Sequence, residues 1–177
     1  MEKIIITKGK VIAFRQASIS DAQAIVDYIH IVAGESDNLS FGTDSVPITL
    51  ENEIEYLTTL ESSKSSAHFV ALCDGVIIAT SNLGTKPRPR MAHVASLGIS
   101  VRKEFWHMGI GHELMNEMIR WAKENGVIKK INLTVRSDNL NAIALYKKCG
   151  FTYVGTLHDE MRIGDKSVDL DAMELLF

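Results

Sequence analysis

Cysteine and proline are scarce in this 177-residue chain, which has 2 and 3 of them respectively. Two cysteines, Cys73 and Cys149, support neither a disulfide framework nor a thiolate metal cluster, and they fit reduced core thiols in a cytoplasmic protein. Long hydrophobic runs are also missing. No segment approaches the roughly 18 apolar residues that a membrane span requires, so no membrane partner is expected. The N-terminal MEKIIITKGKV is broken by lysines and lacks the apolar core and small-residue cleavage site of a secretory leader. A net charge of -3 gives no global attraction for nucleic acid, which is therefore not expected as a partner. His107 and His112 stand five apart and do not share a helix face as a zinc pair would, so no metal is expected. What remains is an ordinary globular composition, 46% hydrophobic and 23% charged, of a length that suits one domain over residues 1–177.

Along the chain, VIAFRQA at 11–17 reads as a strand, and Ser20 with Gln23 has the spacing of a capping box opening a helix to about Ile31. The polar segment from Gly34 to Pro47 has no clear period and is either a functional loop or a short irregular helix. After Thr49, the residues Leu50, Ile54, Leu57 and Leu60 recur at helical spacing. His68–Cys73 and Val76–Ala79 are apolar runs separated by Asp74-Gly75, a hairpin signal. Lys86 to Arg90, with two prolines and three cations, reads as an exposed loop. Ala92 to Val101 returns to strand character.

A helix follows from Gly109, with Ile110, Leu114, Met118 and Trp121 as its apolar stripe and Met115, Ile119 and Ala122 extending it. Asn125-Gly126 ends it. Lys130–Val135 reads as a strand, Asn139–Lys148 as a short helix closed by Gly150, and 152–157 and 168–176 as two last strands. Strand, helix, strand over 94–135 makes a parallel crossover, whereas Asp74-Gly75 makes an antiparallel pair. The expected fold is α/β, a mixed central sheet of about six or seven strands with helices on both faces.

Two short motifs carry chemistry. In EFWHMGIGHELM, Gly109 and Gly111 occupy the first turn of a helix, where backbone NH groups lack intrahelical partners and bear partial positive charge. Such a terminus suits a pyrophosphate, although a GxG pair serves a structural turn as readily. Leu114 stands where a dinucleotide-binding fingerprint has its third glycine, and no Gly-Lys-Ser/Thr run follows, so neither a dinucleotide nor a nucleoside triphosphate is favoured. In SDNLNAIALYKKCGF, Asn139, Ala142 and Tyr146 fall at i, i+3 and i+7 and share one helix face.

In this order the motifs resemble those of the GCN5-related N-acetyltransferase (GNAT) superfamily, over nearly the whole chain from Val11. LGISVRKEFWHMGIGHELM is similar to the family's fourth strand, pyrophosphate loop and third helix, and NLNAIALYKKCGF to its Asn-x-x-Ala-x-x-x-Tyr-x-x-x-Gly-Phe segment. The resemblance implies splayed central strands holding acetyl-CoA as cosubstrate. It implies that Ile99 and Val101 offer backbone groups to the pantetheine, that Met108, Gly109, Ile110, Gly111 and His112 offer NH groups to the pyrophosphate, and that Asn139 and Ala142 meet the cofactor arm. Trp106 departs from the pattern, which has arginine or glutamine there.

The implied reaction is direct attack of an amine on the thioester through a tetrahedral intermediate. Tyr146 is the expected proton donor to the leaving thiolate, a phenol of ordinary pKa about 10 facing a thiol of about 8.5. A bulge at Gly98 would expose a backbone NH to the oxyanion. Glu35 is the first candidate for the general base, with Asp37, His93 and Ser96 left open. The acceptor is a small amine or a protein amino group such as a ribosomal-protein N-terminus. The competing class is a non-catalytic acyl-CoA-binding module, and exposed C-terminal strand edges would support a homodimer.

Overall fold

In the computed structural model, which describes residues 3–43, 46, 48–86 and 88–177, the chain forms one mixed sheet in the order β1-β2-β3-β4-β5-β6-β8-β7. Its strands are β1 (Lys3–Thr7), β2 (Lys10–Gln16), β3 (Ala67–Cys73), β4 (Val76–Thr85), β5 (Val94–Val101), β6 (Lys130–Arg136), β7 (Thr152–Ile163) and β8 (Lys166–Leu176). The helices are α1 (Ala22–Ala33), α2 (Leu50–Glu61), α3 (Ile110–Glu124) and α4 (Leu140–Lys148). All neighbouring strands are antiparallel except β5 and β6, the crossover pair around α3.

The sheet has eight strands because KIIIT pairs with β2 through a turn at Lys8-Gly9. Its apolar run has no alternation, and Ile4 and Ile6 are exposed on this edge strand. Period therefore gave no warning of it. The Asp74-Gly75 turn has both φ angles positive, 51° and 79°, the conformation that two-residue hairpins require.

The capping box stands two residues before the Ser20/Gln23 spacing, at Ser18 and Asp21, and opens a turn that leads into α1. Asp21 closes a short 3-10 turn, Ile19–Asp21, by accepting from the backbone NH of Ser18 at 2.8 Å and from its hydroxyl at 2.9 Å. Arg15 clamps the same carboxylate with two donors, at 2.7 and 2.8 Å. Thr49 caps α2 through Asn52 NH. Within α2 the buried stripe holds Glu53, not Ile54: Glu53 is 5% exposed and Ile54 40%. The described part of 34–47 is turns and bends without a helix, and Asp44, Ser45 and Pro47 lie outside the described residues. In the Lys86–Arg90 segment Pro87 lies outside them too, and Pro89–Met91 makes a 3-10 turn.

Strand alternation distributes the core over both faces. Phe69, Ala71 and Cys73 point into the larger cluster with Leu114, Met115 and Met118 of α3. Val70 and Leu72 point the other way, to Ile25, Tyr28 and Leu57 of α1 and α2. Trp121 packs at the margin of the α3 side, and both cysteines are free thiols. Among the described residues no helix is long and apolar enough to cross a membrane.

The parallel pairing of β5 with β6 runs only from Val94/Lys130 to Ser96/Asn132. Beyond it, β5 continues to Val101 on β4, and β6 continues to Arg136 on β8. The two central strands part, and a cleft opens between them.

The Arg15 guanidinium holds the Asp21 carboxyl down at about 2, with Ser18 assisting and burial opposing. A carboxyl lowered in the folded state stabilises fully above its unfolded value near 4, and that contribution disappears as pH falls toward 2. Asp21→Asn is expected to cost roughly 2 kcal/mol at neutral pH and to flatten the wild-type stability slope between about pH 4 and pH 2, as read from urea midpoints. A variant with an unchanged slope would place the acid sensitivity elsewhere.

Candidate active site

The cleft is a continuous cavity of about 810 Å³ running from the start of α3 across β5 to α1 and α2. Gly109 is the N-cap of α3 and has φ of 80°, a left-handed conformation that costs a residue with a Cβ roughly 1 kcal/mol or more. Gly111 serves a different need. A Cβ there would lie 3.3 Å from Leu145 Cδ2 and 3.7 Å from Val101 Cγ2, so the glycine lets α3 sit close to α4 and β5. Gly109, Ile110, Gly111 and His112 all line the cavity. The first NH groups of this 15-residue helix are presented to it without intrahelical partners.

Met108 differs from its neighbours. Its side chain is buried in the core, and its carbonyl accepts from the Thr7 hydroxyl at 3.0 Å. The N-terminal hairpin thereby fastens the loop from behind. On the cavity side, Trp106 Nε1 donates to the Val101 carbonyl at 2.7 Å. The indole therefore latches the loop to the end of β5, and that carbonyl is already engaged. Ile99 and Val101 line the wall that the departing β6 leaves open.

Asn139 is the N-cap of α4, its side chain accepting from Ala142 NH at 3.2 Å. Asn139, Ala142 and Tyr146 all face the cavity. Tyr146 is 8% exposed, with its ring 6.0 Å from that of Phe151. Among the described residues nothing is hydrogen-bonded to its hydroxyl. Burial, with a smaller contribution from Cys149, pushes this phenol up to about 12, so it is protonated at neutral pH.

Glu35 also lines the cavity, but both its oxygens are engaged. Oε2 accepts from Lys103 NH at 2.6 Å and Oε1 from Arg102 Nε at 3.3 Å, tying the loop after α1 to the end of β5. Asp37, His93 and Ser96 are exposed and lie off the cavity wall. Gly98 pairs with Asn82 in regular register rather than at a bulge, and its missing side chain makes room for the Asn82 amide. Among the described residues no group of His, Cys, Asp and Glu is arranged to hold a metal ion.

Sequence reasoning passed over Glu53, Tyr56, His68 and Arg136, all on the cavity wall. Glu53 shares the helical spacing of Leu50, Leu57 and Leu60, which was the available signal. His68 follows the strand alternation onto the α1 and α2 face, but its proximity to Glu53 comes only from tertiary packing.

The acetyltransferase (GNAT) family matches residues 36–151 of the chain. An L-amino acid N-acetyltransferase of Escherichia coli is 39% identical over 87 residues, and that match spans 49% of this chain and 54% of the relative's length. A GNAT-family acetyltransferase of Streptococcus pneumoniae, known as a crystal structure, is 30% identical and superposes with a TM-score of 0.90 over 94% of this chain and 99% of its own. The yncA protein of Salmonella typhimurium, solved with its cofactor acetyl-CoA, has the same fold, with a TM-score of 0.82 at 17% identity over 93% of each chain. With the family matched over most of its length and the fold shared throughout, the chain belongs to the acetyltransferase (GNAT) family and is an acyltransferase.

Proposed function

We propose that the cleft between β5 and β6 binds acetyl-CoA and that the chain passes its acetyl group directly to a small amine. The observation that carries this reading is convergence. The open edge of β5, the free NH groups at the start of α3 and the buried Tyr146 hydroxyl, on three separate elements, all meet one cavity. The α3 terminus suits the pyrophosphate, and the β5 edge offers strand-like hydrogen bonding to the amide-bearing pantetheine arm. Asn139 and Ala142 flank that arm on the α4 side.

In the proposed reaction the amine nitrogen bonds to the thioester carbonyl carbon, and the carbonyl electrons move to oxygen. A β5 backbone NH on the open edge stabilises this oxyanion. The oxyanion then collapses, the carbon–sulfur bond breaks, and sulfur takes the Tyr146 proton, while the nitrogen releases its own to solvent and the phenolate takes one back from solvent. Because both Glu35 oxygens are engaged, Glu35 serves this reaction as an anchor for Arg102 and Lys103 rather than as the base. The named relative acting on L-amino acids supports a small acceptor, and an N-alpha-acetyltransferase of Sulfurisphaera tokodaii, 29% identical over 85% of this chain, keeps a protein terminus as the second reading.

Removal of the Tyr146 hydroxyl in Tyr146→Phe is expected to lower kcat by about 100-fold with acetyl-CoA affinity little changed, as followed by thiol release and calorimetry. Unchanged turnover would exclude the phenol as the donor. Glu35→Gln is expected to keep the acid limb of the pH–rate profile and to lower kcat less than about tenfold; loss of that limb would identify Glu35 as the base. Gly109→Ala has open space but a strained φ, so it is expected to weaken acetyl-CoA binding while kcat at saturation holds. Acetyl-CoA binding without release of thiol in the presence of any amine would instead identify a non-catalytic acyl-CoA module.

A further inference from the structure

Beyond β5 the cavity ends in a buried polar pocket that the transfer chemistry leaves unused. Glu53, in the first turn of α2, is 5% exposed, and His68, near the start of β3, is 8% exposed. Glu53 Oε1 lies 3.5 Å from His68 Nδ1, yet neither atom has a hydrogen-bond partner among the described residues. Both side chains line the cavity. An ionised carboxylate taken out of water needs a hydrogen-bonded counter-charge. Here the partner at ion-pair distance is an imidazole and not a lysine or arginine.

The surroundings suit a cation. The Tyr56 ring lies 5.9 Å from that of His68 and offers an aromatic face. The Tyr56 hydroxyl interacts with the Asn82 side chain, and Asn82 in turn covers Gly98, where a Cβ would come within 2.6 Å of its Oδ1. The pairings His68↔Asn82 and Asn82↔Gly98 place these residues in one row across β3, β4 and β5. His68 thus stands two interstrand spacings, roughly 10 Å, from the strand at which transfer is proposed.

We propose that Glu53 and His68 form an acceptor subsite for a second cationic group, so that the preferred acceptor is an amine carrying an ammonium at the far end of a flexible apolar spacer. With its proton on Nε2, His68 presents an acceptor at Nδ1 beside Glu53 Oε1. One ammonium, having three donors, satisfies both orphaned atoms at once. Ile29 and Ile48 on the cavity wall accommodate the spacer. This inference rests on the acetyl-transfer reading only for the position of the reacting nitrogen.

Calorimetric titration of the CoA-loaded protein with linear α,ω-diamines of increasing length, each against its matching n-alkylamine, tests the subsite without turnover. A diamine of intermediate length is expected to bind about tenfold tighter or more than its monoamine. Glu53→Gln is expected to erase that ratio, and retained CoA affinity shows that the variant is folded. In thiol-release assays the same substitution is expected to raise the diamine KM by about tenfold, with a smaller effect on kcat. Equal or undetectable binding of the two amine classes by the wild type overturns the subsite, as does a ratio that survives Glu53→Gln. If Glu53→Gln does not fold, the wild-type comparison decides alone. A diamine preference in binding without thiol release from any amine counts against acetyl transfer and leaves the subsite standing.

Discussion

Pairing between β5 and β6 ends at Ser96 and Asn132, and the rest of the cleft depends on that ending. A sheet whose central strands stayed paired to their ends would satisfy its own backbone and leave no edge for an extended ligand. Here β4 and β8 hold the two strands on their outer sides while their facing edges diverge. The divergence makes room for α4, which delivers Tyr146, and for the start of α3, which delivers NH groups.

Opening a sheet at its centre sacrifices cohesion, and the structure restores it from outside the strands. Gly111 lets α3 approach α4 and β5, Trp106 joins the loop to Val101, and Thr7 reaches the Met108 carbonyl from the N-terminal hairpin. On the other face Glu35 draws the segment after α1 onto Arg102 and Lys103. The Thr7 and Glu35 contacts join elements distant in sequence and the Trp106 contact is local, and all are placed around the rim where strand pairing has been lost.

Much of this was legible in the residues because it is locally encoded. Asp74-Gly75 specifies a turn, Asn125-Gly126 a helix end, and Asn139 a cap, each through backbone chemistry within a few positions. The order of LGISV, the glycine pair and the Asn139/Ala142/Tyr146 face led to the family. What stayed hidden was decided by packing. β1 was missed because an unalternating apolar run broken by lysines gives no strand period, and its pairing with β2 supplies what its sequence does not. The inward face of α2 was misjudged by one residue because isoleucine is the safer assumption at a buried position; Glu53 is buried there and opens onto the cavity. Glu35 was legible as a residue of the site, but its bonds to Arg102 and Lys103 were not.

The indole of Trp106 gives the site a fixed gauge. Because its NH is bound to the carbonyl that ends β5, the loop proposed to meet the phosphates is tied to the strand proposed to meet the thioester. The span between them then works as a calliper set to one length of carrier arm. An acyl group on a shorter or longer thiol would be held at one jaw and miss the other, so in the proposed reaction the carrier is measured before its cargo is recognised.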